Sequence, residues 1–208
     1  MALRRALLML TPLLVLMAVP KPVAAADLAV PLMLTQAPTN QEGKAEANRL
    51  LQLGIQQFKT SRFEAALQTW QQALKLYQGI KERQGEGRAL SGLGIAYYSL
   101  GNYAKAIEYA EQSLAIAREI KDREGEGQVL GNIGSTLAKQ QQPELAIVFY
   151  KQSVNVREGI RQDNRTLDRK LQESYTQSVA YTYRQLADLL IAQGRIREAQ
   201  QVLERLKL

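Results

Sequence analysis

Ile80-Lys-Glu-Arg-Gln-Gly-Glu-Gly87 returns 40 residues later as Ile120-Lys-Asp-Arg-Glu-Gly-Glu-Gly127, and Gly54, Gly94 and Gly134 keep the same step. A fixed period of that length describes a stack of similar units, each covering its neighbour's apolar face. The product expected of such a stack is a binding surface and not a catalytic pocket.

Outward from the repeat, apolar residues recur at spacings of three and four, the pattern of a helix with one buried face. In the first unit Leu50, Leu53, Ile55 and Phe58 form one run, and Phe63, Ala66, Leu67, Trp70, Ala73, Leu74 and Tyr77 another. The short break at Lys59 to Arg62 makes them an antiparallel helix pair. The pair recurs around Gly101-Asn102, again with Pro143 opening a helix where its missing amide hydrogen costs nothing, and last around Gly194-Arg195. Ala187 lies 53 residues past Gly134, so about 13 residues have been added before the fourth pair. The added stretch, 163–175, is charged and free of Pro and Gly, and reads as extra helical length. The expected fold is all-α: a right-handed superhelical stack of about eight helices in four repeats, near 44–83, 84–123, 124–162 and 176–208.

Residues 1–26 read as an export signal: Arg4 and Arg5, an apolar run from Ala6 to Val19, then Ala24-Ala25-Ala26 before Asp27. Left uncleaved, the same run would hold the chain at a membrane. Residues 27–43, with Pro31, Pro38 and Gly43, form a loose lead, and helical pattern begins near Lys44. The chain carries +7, but losing residues 1–26 removes Arg4, Arg5 and Lys21 and no acid, which leaves +4. The remaining bases alternate with acids, as in Lys81-Glu82-Arg83. That is a solvated helix face and not the one-sided basic stripe that nucleic acid requires.

With no His and no Cys, the chain lacks the imidazole base, the thiolate nucleophile and the usual zinc ligands. Carboxylate pairs such as Glu108 with Glu111 and Glu124 with Glu126 read as solvated charges. The glycine-rich stretch from Gly85 to Gly94 lacks the Gly-Lys-Ser/Thr ending and the preceding strand of a phosphate loop, and reads as packing. Asn164-Arg165-Thr166 fits a glycosylation acceptor, a pattern common by chance. No catalytic residue, metal site or cofactor is expected.

Leu90-(x2)-Leu93-Gly94-(x2)-Tyr97 with Ala106, and Leu50-(x2)-Leu53-Gly54 with Ala66, Trp70 and Ala73, resemble the tetratricopeptide repeat. The chain departs from that pattern in its 40-residue period, in Gln57 where an aromatic is usual, and in Ala187 at a glycine position. The resemblance implies a concave groove lined by first-helix residues; its aromatics, an Asn able to hold a peptide amide, and scattered Arg and Lys suit an extended or helical peptide with an acidic end. The matching positions are Asn48, Leu51, Ile55 and Phe58 in unit one, and Arg88, Ser91, Ile95 and Tyr98 in unit two. Unit three supplies Gln128, Asn132, Ser135 and Lys139, and unit four Tyr181, Arg184 and Asp188.

Residues Tyr181 to Leu203 further resemble the last repeat before the peptidase-like domain of cyanobacterial CHAT-domain proteins, whose His and Cys this chain lacks. Two readings follow: an exported protein-interaction scaffold, or the recognition portion of a CHAT-type peptidase. The last helix, with Ile196, Ala199, Val202, Leu203 and Leu206 at helical spacing, is a second candidate contact surface.

Overall fold

The computed structural model describes residues 40–164, 166 and 168–206. The signal segment, most of the lead, and Arg165 of the glycosylation pattern lie outside the described residues. Those described form eight helices: α1 Asn40–Lys59, α2 Phe63–Gly79, α3 Arg83–Ser99, α4 Tyr103–Glu119, α5 Arg123–Lys139, α6 Pro143–Asp163, α7 Arg169–Ala192 and α8 Ile196–Glu204. Each packs antiparallel on the next, and α1 also touches α3 as α3 touches α5, so the first helices of successive pairs form an inner layer. This is the all-α solenoid of helix pairs that the periodicity predicts.

The repeated octapeptide owes its residues to one turn. Ile80 ends α2, and Lys81 then takes a left-handed φ of 57°. The amides of Lys81 and Glu82 turn back to the carbonyls of Gln78 and Tyr77, which satisfies the end of α2. Glu82 is at once the last residue of this turn and the cap of α3, its carboxylate accepting from the Gly85 amide at 2.6 Å. Arg83 pairs with Glu119 at the far end of the neighbouring helix. Lys121, Asp122 and Arg123 repeat the arrangement, with Asp122 accepting from Gly125 and Arg123 pairing with Asp163. Left-handed residues recur at Ser61, Lys81, Gly101, Lys121 and Gln141, every 20 positions, within repeats and between them alike. Of the six such turns among the described residues, two, at Gly101 and Gly194, use the residue that adopts this conformation without strain.

The glycines at 54 and 134 are seats for rings. A Cβ on Gly54 would run into the Trp70 indole, and one on Gly134 would stand 3.0 Å from the Tyr150 ring. At the same place in the second pair stands Ala110, and α4 closes the gap with its backbone: a Cβ on Gly94 would lie 3.2 Å from the Ala106 carbonyl. Small residues there divide the core into two clusters, Ala47 to Ala96 and Ala110 to Val202. Trp70 also reaches the following repeat, where a Cβ on Gly92 would sit 2.7 Å from its ring. A helix-interior glycine costs about 1 kcal/mol. A buried Trp is worth about 3–5 kcal/mol against truncation, so the seat is a net gain.

Two boundaries differ from the sequence reading. The first helix begins at Asn40 and not near Lys44, because Gly43 is no break: it is buried, with Ile80 packed over its α-carbon, and Lys44 pairs with Glu82, the cap of α3. The 163–175 segment is not one helix. Helix α6 ends at Asp163, and the Asp168 carboxylate caps α7 by accepting from the Lys170 amide at 2.8 Å. Set beside the 17-residue helices, four of the added residues lengthen α6 to 21 and seven lengthen α7 to 24.

The short α8 is held to α6 by charge: Glu198 receives Lys151 at 2.6 Å and Arg195 at 2.7 Å. The Arg195 and Lys151 hydrogen bonds hold its carboxyl down at about 2. A depressed carboxylate gives its full attraction above the ordinary carboxylate range and loses it as pH falls through its folded value. Amide protection factors in Ile196–Glu204, corrected for the intrinsic exchange rate, should therefore fall between pH 4 and about 2 ahead of those in α3 and α5, and Glu198→Gln should remove that step. Gly92→Ala should destabilise the solenoid by about 2–3 kcal/mol in denaturant melts, because the added methyl displaces the Trp70 ring.

Candidate functional site

The inner layer leaves a groove of about 660 Å³ between the second half of α1, the length of α3 and the start of α5. Its apolar wall is Leu51, Ile55 and Phe58 from α1 and Ile95 from α3; Ile116, Ala117 and Ile120 at the end of α4 complete it. The Trp70 indole stands in the same wall, its Nε1 donating to the Leu51 carbonyl at 3.2 Å, so the ring is fixed in place. The polar rim carries Lys59, Arg88, Ser91 and Gln128, with Asp122 and Glu124 at the α5 end.

Charges along this rim are not equally engaged. Asp122 caps its own helix, and Glu124 faces Arg157 at 3.5 Å. Lys59 and Arg88 make no hydrogen bond or ion pair with any described residue. An apolar trough beside two uncompensated cations is suited to a ligand that brings apolar side chains and a carboxylate.

A smaller pocket of about 180 Å³ continues past Ser91 and Ile95, which line both. It is framed by Tyr98 of α3, Asn132 and Ser135 of α5, and Tyr181 of α7. Ser135 and the Tyr150 hydroxyl share a hydrogen bond of 2.9 Å at its edge. Burial pushes the Tyr98 phenol above its ordinary value, helped by the neighbouring Tyr181, so the ring presents a neutral hydroxyl.

Eleven of the fifteen sequence-derived groove residues thus line one pocket or the other. Asn48, Lys139, Arg184 and Asp188 do not. Asn48 is engaged by the fold: its side-chain oxygen accepts from the Tyr77 hydroxyl at 2.8 Å, the partner of an otherwise fully buried ring. Lys139 is exposed in the last turn of α5, and Arg184 and Asp188 are exposed on α7. Sequence reasoning missed Trp70 and the α4 residues, having looked only at first-helix positions, and missed Lys59 by assigning it to the break after the first helix, whereas α1 runs through it. Ile116 and Ile120, apolar at a spacing of four, were the available signal. The Gly85–Gly94 stretch lies within α3, with Gly85 against the Tyr77 ring and Gly92 against Trp70.

A family model described as tetratricopeptide repeat matches residues 46–119 and 100–159. No curated protein matches the sequence. Among solved structures, the repeat domain of Arabidopsis FLU aligns at 27% identity and a TM-score of 0.52, over 54% of this chain and 95% of that one. Aspartyl phosphate phosphatase F from Bacillus subtilis aligns at 18% identity and a TM-score of 0.67, over 78% of this chain and 39% of that one. The Rap conjugation gene regulator of plasmid pLS20, solved in complex with the Phr* peptide, aligns at 17% and 0.63, over 82% and 43%. At such identities the last two show a shared fold.

Asn48→Ala should cost about 1–2 kcal/mol of unfolding free energy by leaving the Tyr77 hydroxyl without its partner, and Tyr77→Phe should cancel most of that loss in a double-mutant cycle.

Proposed function

Because this chain belongs to the tetratricopeptide repeat family, we propose that it is a protein-interaction scaffold whose inner groove takes a peptide segment of a partner. The observation that carries this reading is the apolar trough beside the uncompensated Arg88 and Lys59. The occupant it favours is a short segment with two or three apolar side chains, seated on Ile55, Phe58 and Ile95, and an Asp or Glu facing Arg88. A protein of the same fold solved with a peptide bound supports testing a peptide first. No catalytic role is proposed: the groove's own carboxylates serve as a helix cap and an ion-pair partner.

Export through residues 1–26 is part of this proposal and rests on their composition, which also supplies the alternative of a membrane-held form. The CHAT-type reading rests on the resemblance of residues 181–203 alone. N-terminal sequencing of the mature protein separates the cleaved form from the anchored one.

Peptide display against the purified chain should enrich apolar sequences carrying an internal acid. Arg88→Glu should weaken the selected peptides at least about 10-fold with an unchanged melting temperature, since it reverses a charge that supports no fold contact. Peptides that bind both forms equally would place recognition elsewhere.

A further inference from the structure

We propose that the exposed face of α7 is a two-fold contact with a second copy of this chain. Tyr181, Arg184, Asp188 and Ile191 follow one another at spacings of three, four and three, which puts them on one side of the helix. All four are exposed, Tyr181 by 64% and Ile191 by 48%. Arg184 and Asp188, though four apart, make no hydrogen bond or ion pair with each other or with any other described residue. A charged pair between apolar ends is thus presented outward, with neither charge compensated.

The order of the four residues is what selects the occupant. Read from either end about Leu186, the stripe runs apolar, charged, charged, apolar, and the two charges are of opposite sign. Two α7 helices laid antiparallel with the two-fold axis at Leu186 set Tyr181 against the partner copy's Ile191 and Arg184 against its Asp188, and each contact occurs twice. A two-fold interface requires this self-complementarity, and a different partner would not. A further repeat stacked in the established way fits poorly. The residues matching Arg184 in the preceding units are Leu51 and Gly131, both buried, and Ser91, half-buried. In the same place Arg184 would carry its charge into a packed helix contact.

The paired stretch, residues 180–192, is about 20 Å of helix. A contact of that length lies at the low end of stable interfaces, so a dissociation constant in the tens of micromolar is expected, weakening with salt. The contact uses the outer rim of the Tyr98 pocket and leaves the Phe58–Arg88 groove open, so it stands or falls independently of the peptide reading.

Sedimentation velocity of the full chain from about 1 to about 300 µM tests this. The wild type should pass from monomer to dimer. Arg184→Asp and Asp188→Arg should each raise the dissociation constant at least about 10-fold, because each sets like charges opposite one another. An equimolar mixture of the two variants should regain the dimer, because every facing pair is then of opposite sign; neither misfolding nor association through another surface gives that result. A wild type that stays monomeric across the range, single variants that associate like the wild type, or a mixture that stays monomeric would each overturn the proposal.

Discussion

The solenoid depends on large rings seated on glycine. In the first and third pairs the first helix gives up its Cβ, and the space so made is filled by Trp70 over Gly54 and Tyr150 over Gly134. Trp70 shows how far this reaches: it holds its own pair together, abuts Gly92 of the next, bonds the Leu51 carbonyl and forms part of the groove wall. Stability and the candidate site share that side chain.

The turns set the second constraint. A left-handed residue followed by one that both ends a helix and begins the next leaves no slack, so direction is fixed within three residues. Lys81, Lys121, Ser61 and Gln141 pay a conformational cost there that glycine would not, about 1–2 kcal/mol each, offset by the carbonyls satisfied at the helix end. Between α6 and α7 this metre lapses.

Much of the fold was legible because its period is written in residues with one physical use. Glycines at 54, 94 and 134 and the apolar spacing gave the helix pairs, their turns and the buried faces. The two boundaries that were misjudged have local signals that tertiary contacts overrule: Gly43 looks like a breaker until Ile80 covers it, and the charged 163–175 stretch looks uniformly helical until Asp168 caps a new start. The groove was legible only in its inner wall. Asn48 satisfies every local criterion for a ligand-holding amide, yet a tyrosine 29 residues away already uses it. Trp70 was visible as core, and nothing in its sequence position shows that the ring also backs the groove wall.

The turns would let the units be shuffled, since the backbone join is the same every 20 residues. The ring seats forbid it. Delete residues 84–123 and the chain rejoins with its turn geometry intact, but Trp70 then faces Asn132 where Gly92 had been, and the seat is occupied. The succession of repeats at this junction is therefore enforced by shape: the first accepts the second as its neighbour and rejects the third.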